Sequence, residues 1–578
     1  MAYNLVKAIQ YLINYIEMKQ LKYFITSLFI VSSVAVFAAE PDSSLIKRNV
    51  TIEKEYIPTI QEAGKVNDIP SVVEPELKKI EVNYSGYSTL IDPPFEIRQL
   101  ESARLTYPAL PSQKDGYLRL GIGNYWTTLG NFMYPIVNKP KSRLEVSLNH
   151  EGTFETKKHT DNTLGLNYHR YYTSGEFFMN GGYEYEGFNY YGSNKLDENT
   201  AYNMGTYSFI GNQYFNKDAT ISGWNFATGY NSIPTEEKEY NFSAQFKYGG
   251  FSPNEGLKEH NINTKILYEK KVDENKVGID VNLQNLVYNS NNVEYTSLAQ
   301  KSYSIFSLNP YFDYQQEKWN LHLGIVANFS GQGKGFAPTP DIKAQCTLID
   351  KTMYCYGGIV GDLQANTMKE MVGLNHYIDL NEKVKNTYTP CNIYGGIKLK
   401  LLYDFVTDFS LSYKTIKDQY FFVNKIVTDS TGQVNSNVFG AEYHDANLFC
   451  TSFKINYNYN QEFSFVFNWK HNAWKVTDGT AWQMPKNEFD FATDMKLTKR
   501  TSVNINTYFK TGRVAQAADG SSVSLKSMAD VNFGLFYAHS SKVSSFFRLN
   551  NIINRHYEQW YGYEVNGFNA MFGLVFAF

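Results

Sequence analysis

The sequence predicts an all-β protein, a transmembrane antiparallel β-barrel with an extended N-terminal segment. Three observations carry this reading: abundant aromatic residues diluted among polar ones, a strict two-residue alternation along the chain, and connections that alternate between tight turns and long polar loops. Of 578 residues, 16% are aromatic, with 46 Tyr and 40 Phe, while 19% are charged. A wall with one face in lipid and the other in water has this composition, because each strand must serve both solvents. The formal net charge of -3 leaves no basic field to attract nucleic acid, which is therefore not an expected partner.

In chain order, the first element is a targeting segment. From Met18, "MKQLKYFITSLFIVSSVAVFAAE" places Lys19 and Lys22 before an apolar run from Tyr23 to Phe37, and Val36-Phe37-Ala38 supplies the small residues expected before a cut. Residues 1–38 thus read as a secretory signal peptide, in which residues 1–17 come from an upstream start or lengthen an uncleaved helix. No cysteine follows the cut, so a lipid anchor is not expected. Outside this segment no apolar run reaches the roughly 18 residues of a membrane helix.

Residues 39–115 are spotted with proline and charge, as in "IDPPFEIRQL" and "YPALPSQKDG". Such spacing disfavours long helices and central strands. An extended segment is expected here, in the periplasm or the barrel lumen, with a short strand at Val50, Thr51 and Ile52.

From Gly116 to Phe578 the alternation takes over. Trp319, Leu321, Leu323, Ile325, Ala327 and Phe329 alternate with Asn320, His322, Gly324, Val326 and Asn328. The same period recurs at Leu144, Val146 and Leu148, at Leu164, Leu166 and Tyr168, and at Val277, Ile279, Val281 and Leu283. It returns at Phe453, Ile455, Tyr457 and Tyr459, and at Val531, Phe533, Leu535 and Tyr537. Each is a strand whose two faces meet different solvents. Short links ("QQEK", "IDKT", "YNQE", "HSSK") fall between long ones ("YGSNKLDENTAYN", "VTDSTGQVNSN", "KVTDGTAWQMPKN", "AQAADGSSVS"). Tight periplasmic turns opposite long external loops mark an outer-membrane barrel.

At roughly 20 residues per strand and connection, the region holds about 22 strands, with 16 as the lower bound. The segments tally to an odd number, so "GTYSFIGNQYF" is assigned to an external hairpin. A β-sandwich needs shorter strands, and the sequence has no 40–50-residue repeat of the kind propeller blades require.

The chemistry-bearing residues are sparse. The histidines form no HExxH or Cys/His cluster, so no metal, cofactor or enzyme activity is expected. His322 shares a polar strand face with Asn320 and reads as a lumenal residue rather than half of a catalytic pair. "SGQGKGF" lacks phosphate-loop spacing and reads as a flexible loop. If Asp350 and Lys351 centre a two-residue turn, Cys346 and Cys355 stand directly opposite each other. A disulfide and two free thiols are then equal alternatives, since directly opposed strand cysteines strain the bridge. A barrel of about 22 strands needs something inside it. Three fillings are open: residues 40–112, an inward-folded loop such as Gln364 to Pro390, or a partner protein.

At the C-terminus, "LNNIINRHYEQWYGYEVNGFNAMFGLVFAF" resembles the last hairpin of TonB-dependent receptors. "GYLRLGIGNYW" from Gly116 is similar to the opening barrel strand of receptor-like proteins of the Bacteroidetes, and "RNVTIEKEYIPTIQEAGKVNDIP" to their N-terminal lead. The resemblance implies a receptor-type barrel in the cell outer membrane that takes up a nutrient or polar solute. It also implies TonB, the barrel assembly machinery and a surface lipoprotein as partners. Val50-Thr51-Ile52 would be the TonB-contact segment, or simply an edge strand. The room between the signal and Gly116 is about half that of a standard plug domain, and Gly567-Phe568 stands where receptors carry Gly-Arg, so a barrel without that plug is expected. The alternative is a non-transporting scaffold or protein-binding barrel. In the last strand, Phe572, Leu574, Phe576 and Phe578 form a lipid-facing row that doubles as an assembly signal. That strand is expected to close the wall against the one beginning near Gly116.

Overall fold

The computed structural model describes residues 116–193, 217–233, 239–290, 300–401, 404–428, 434–459, 462–517 and 520–578. The signal segment, the N-terminal lead with Val50, Thr51 and Ile52, and the "GTYSFIGNQYF" stretch lie outside them. Among the described residues, 22 antiparallel strands form one sheet that closes on itself. Each strand pairs with its neighbours in sequence, and closure joins the first, β1 (Tyr117–Gly123), to the last, β26 (Asn569–Ala577). Four short strands stand outside the wall, in the loops: β20 (Val514–Gln516) with β21 (Ser522–Ser524), and β24 (Glu558–Trp560) with β25 (Tyr563–Glu564). The even count removes the odd tally.

The seam is an in-register ladder from Tyr117 opposite Ala577 to Gly123 opposite Met571. Gly116 and Phe578 extend it by exchanging both backbone hydrogen bonds, at 2.9 and 3.1 Å. The Phe578 ring stacks near Phe132 and Tyr134, with centroids 6.3 and 6.0 Å away. Phe572, Leu574, Phe576 and Phe578 all point outward and exposed, whereas Met571, Val575 and Ala577 are buried on the inner face. Gly573 faces inward opposite Gly121, and the buried Phe546 of β23 (Val543–Asn550) lies over both. A side chain at Gly573 would collide with that ring and with the Leu120 carbonyl, so the position requires glycine.

Both chain ends of the barrel lie at the edge that carries the tight turns. The short links read from the sequence fall at this edge and the long ones at the other. Outward positions hold large apolar residues that the protein leaves about half uncovered, such as Ile325 at 57% and Leu166 at 47% exposure. A continuous apolar band of this kind is stable only against lipid, so the barrel spans a membrane. Away from the apolar patch at the seam, inward positions in this part of the wall are polar and bonded across strands: Arg119 donates to Asn131, Asn131 to Asn149, and Asn149 to Thr163. At the long-loop edge the hairpin of β15 (Phe405–Thr428) and β16 (Val434–Tyr459) extends well past the rest, at 24 and 26 residues.

Candidate solute site in the barrel lumen

The loop between β13 (Met353–Gln364) and β14 (Thr387–Leu401) folds inward, as the second of the three sequence-level fillings proposed. Its "TMKEMV" stretch forms a short helix, α1 (Met368–Leu374), because Thr367 and Glu370 make a capping box. The Thr367 hydroxyl accepts from the Glu370 amide at 3.1 Å, and the Glu370 carboxylate accepts from the Thr367 amide at 3.2 Å. One face of α1 buries Met368, Met371 and Val372. The buried Glu259 carboxylate of β8 (Leu257–Val272) accepts from the Met368 amide at 2.7 Å, where a helix start favours negative charge.

This loop crosses the lumen. Its apolar residues join one buried cluster with Phe188 of β5 (Gly175–Asn189), Leu257 of β8, and Tyr420, Phe422 and Phe439 of β15 and β16. β5 and β16 stand on opposite sides of a 22-strand ring, so a segment touching both must bridge it. Polar contacts fix the crossing. Gln300 brackets Val384, donating to its carbonyl at 3.1 Å and accepting from its amide at 3.2 Å. Ile378 pairs with Phe439 in a parallel bridge. Lys425 donates to Asp379 and Glu382 at 2.8 and 3.0 Å. Burial is the largest influence on Glu382 and leaves its carboxyl above the usual range despite the Lys425 ammonium.

A second loop, 551–568, meets the first. Tyr563 is fully buried and stacks on Tyr377 at 3.5 Å and 15°. Its hydroxyl donates to the Asn437 carbonyl at 2.6 Å. Tyr191 meets it edge-on at 5.1 Å, and burial pushes the Tyr191 hydroxyl up to about 12. Arg513, in the loop before β20, donates to the Gln559 carbonyl at 2.8 Å and also to that of Glu558. Burial lowers its guanidinium to about 10, still charged at neutral pH.

Between these loops and the far wall lies a cavity of about 630 Å³. Aromatic faces line it at Tyr420, Phe422, Trp474, Trp482, Tyr508 and Trp560, and four cations (Lys414, Lys470, Lys510, Arg513) stand among three acids (Glu370, Glu488, Asp530). Lys510 pairs with Glu488 at 3.5 Å, and Asn472 donates to the same carboxylate at 2.9 Å. The volume is that of a pocket for one small molecule, and the mixed lining suits a solute with ring or apolar faces and charged or hydroxyl edges.

The residues singled out in the sequence lie elsewhere. His322 faces the lumen, as expected, but its ring nitrogens are clamped by Asp313 at 2.5 Å and Asp341 at 3.0 Å. That clamp ties three strands together. Cys346 and Cys355 are register partners, both free thiols, and Cys346 shares its face with the exposed Ile342 and Leu348. "SGQGKGF" closes the hairpin after β11 (Trp319–Ser330), where Gln332 donates to the Val384 carbonyl at 3.0 Å. Sequence reading missed the cavity aromatics and α1. The Thr367-x-x-Glu370 spacing before "MV" was the available signal for the helix.

No protein-family model matches the chain, and no curated protein does. Solved structures share its fold. The siderophore receptor PirA from Acinetobacter baumannii superposes with a TM-score of 0.59 at 12% identity, over 82% of this chain and 81% of that one. The ferric-catecholate import receptor Fiu from E. coli K12 gives 0.57 at 9% identity, over 81% and 82%. The pyoverdine outer membrane receptor FpvA from Pseudomonas aeruginosa gives 0.58 at 11%, over 82% and 79%. The fold is therefore that of outer-membrane receptor barrels.

Proposed function

We propose that this protein is an outer-membrane receptor-type transporter that admits a small polar solute through its lumen. The observation that carries the reading is the aromatic and cationic cavity of about 630 Å³ that lies against two interlocked loops. A scaffold whose lumen stayed closed would have no need of such a lining. In this reading the long-loop edge faces outside, the cavity receives the solute, and the loop 365–386 is the barrier. The receptor-like fold supports TonB and a surface lipoprotein as partners, and the barrel assembly machinery as the route into the membrane. Val50, Thr51 and Ile52 are the segment proposed to meet TonB.

Planar-bilayer conductance tests the proposal. The intact protein should conduct little, and deletion of residues 368–384 should open a large, stable current. Deletion of residues 40–112 should add to it if that segment also occupies the lumen. No current in any of these proteins, with the barrel folded, would favour the closed scaffold. Pull-down of the periplasmic TonB domain by the N-terminal segment tests the coupling separately.

A further inference from the structure

We propose that His159, Glu186 and His376 form a site for a divalent transition-metal ion, zinc being the natural choice, that fastens the inward loop to the barrel wall. Among the described residues this is the one group of three metal-ligating side chains whose donor atoms converge, all within 4.8 Å of one another. His159 opens β4 (His159–Tyr172), Glu186 lies near the end of β5, and His376 comes from the loop, so the three arrive from three separate segments. His376 Nδ1 stands 2.6 Å from Glu186 Oε1. Both atoms are buried, and they form an ion pair when the imidazole is protonated, so the wall and the loop already meet at this point. The His159 and His376 rings lie 5.2 Å apart, and Phe188 flanks His376 at 5.8 Å.

The surrounding charge points the same way. Glu151, Asp161 and Glu186 are register partners across three adjacent strands, which places three carboxylates in one inward row. Like charges directly opposed on neighbouring strands destabilise a sheet, and a dication beside the row offsets that cost. Two imidazoles and one carboxylate form the three-ligand set of an open zinc site, with water as the fourth ligand. Imidazole donors select zinc, nickel or copper over calcium and magnesium. Tetrahedral coordination at zinc distances sets donor atoms about 3.4 Å apart, so side-chain adjustments on the order of 1 Å complete the site. The inference does not depend on transport, since it concerns only how the loop is held.

The test uses the full-length protein in detergent, stripped with chelator and titrated with zinc chloride. One zinc ion per barrel is expected, with binding at least tenfold weaker in His376→Ala and in His159→Gln. Cobalt substitution should give the intense visible bands of a four-coordinate site. Zinc should also raise the thermal midpoint of the wild type and not of the variants. His159→Gln leaves the loop's own side chains intact, so its failure to bind cannot be assigned to a displaced loop. Equal zinc affinity in the wild type and both variants would overturn the proposal, as would the absence of any bound zinc in the wild type.

Discussion

Replacing Tyr563 by alanine should unfasten the loops that close the long-loop edge while leaving the wall intact. The ring is fully buried, stacked on Tyr377 at 3.5 Å and met edge-on by Tyr191, and its hydroxyl donates to Asn437. Removing a buried aromatic side chain costs about 3–5 kcal/mol. Tyr563→Phe keeps the ring and both aromatic contacts. It removes the hydroxyl and so strands the Asn437 carbonyl and the Gly192 amide that met it, at a cost of about 1–2 kcal/mol. The difference of roughly 2–3 kcal/mol corresponds to loop opening about 30- to 150-fold more frequent in the alanine variant. Single-channel recording in planar bilayers reads this directly as open probability, and near-ultraviolet circular dichroism reports the lost packing. Equal opening in both variants would place the fastening in the hydroxyl. No change in Tyr563→Ala would mean that the stack does not hold the loops, and the account of a closed edge would fail.

Phe578→Asp separates recognition from stability. The ring's contacts with Phe132 and Tyr134 are worth about 0.5–1.5 kcal/mol each, and a carboxylate at the membrane edge adds little. The variant should therefore refold normally in detergent yet insert poorly in cells, and normal insertion would retire the assembly-signal reading. Arg513→Ala should lower the thermal midpoint and raise open probability. It removes charged hydrogen bonds to two carbonyls of the 551–568 loop, worth roughly 1.5–3 kcal/mol each, and Arg513→Lys should recover part of the loss. Thiol titration of the unreduced, unfolded protein should count four thiols, because direct opposition of Cys346 and Cys355 disfavours a bridge. A crosslinked peptide joining the two would show the opposite.

The wall was legible in the sequence because a strand's period of two survives any context: the residues expected to face lipid at Leu164, Ile279, Ile325 and Phe572 do so. The seam was legible for the same reason, and the alternation of turn and loop gave the edges. The interior was not. Tyr420, Phe422 and Trp474 sit on strands whose polar and apolar residues mix on the inner face, where a packed loop replaces water, so the alternation there carries no simple sign. Tyr563 and Tyr377 are some 190 positions apart, and no local pattern links them. A wide barrel needs a filling, which points to the long loop after Gln364, but the path of that loop depends on single contacts such as Gln300 with Val384.

The asymmetry of the interior bears on how a solute would pass. The inward loop shares one apolar cluster with the β5 to β8 side, through Phe188, Phe251 and Leu257, and with the opposite wall, through Tyr420, Phe422 and Phe439. The cavity occupies the other half, with Lys414, Lys470 and Lys510 on its wall. A path along that half requires the tie at Tyr563 and Lys425 to loosen, while the apolar contact on the β5 to β8 side stays buried. Ejecting the whole loop would expose Met368, Met371, Val372 and Ile378 to water, at about 1.5–3 kcal/mol for each side chain. Releasing the tie alone costs the fraction carried by Tyr563 and its neighbours. Hinging about the β5 to β8 contact is therefore the lower-energy opening, and the wall that carries the lysines is the one it would uncover.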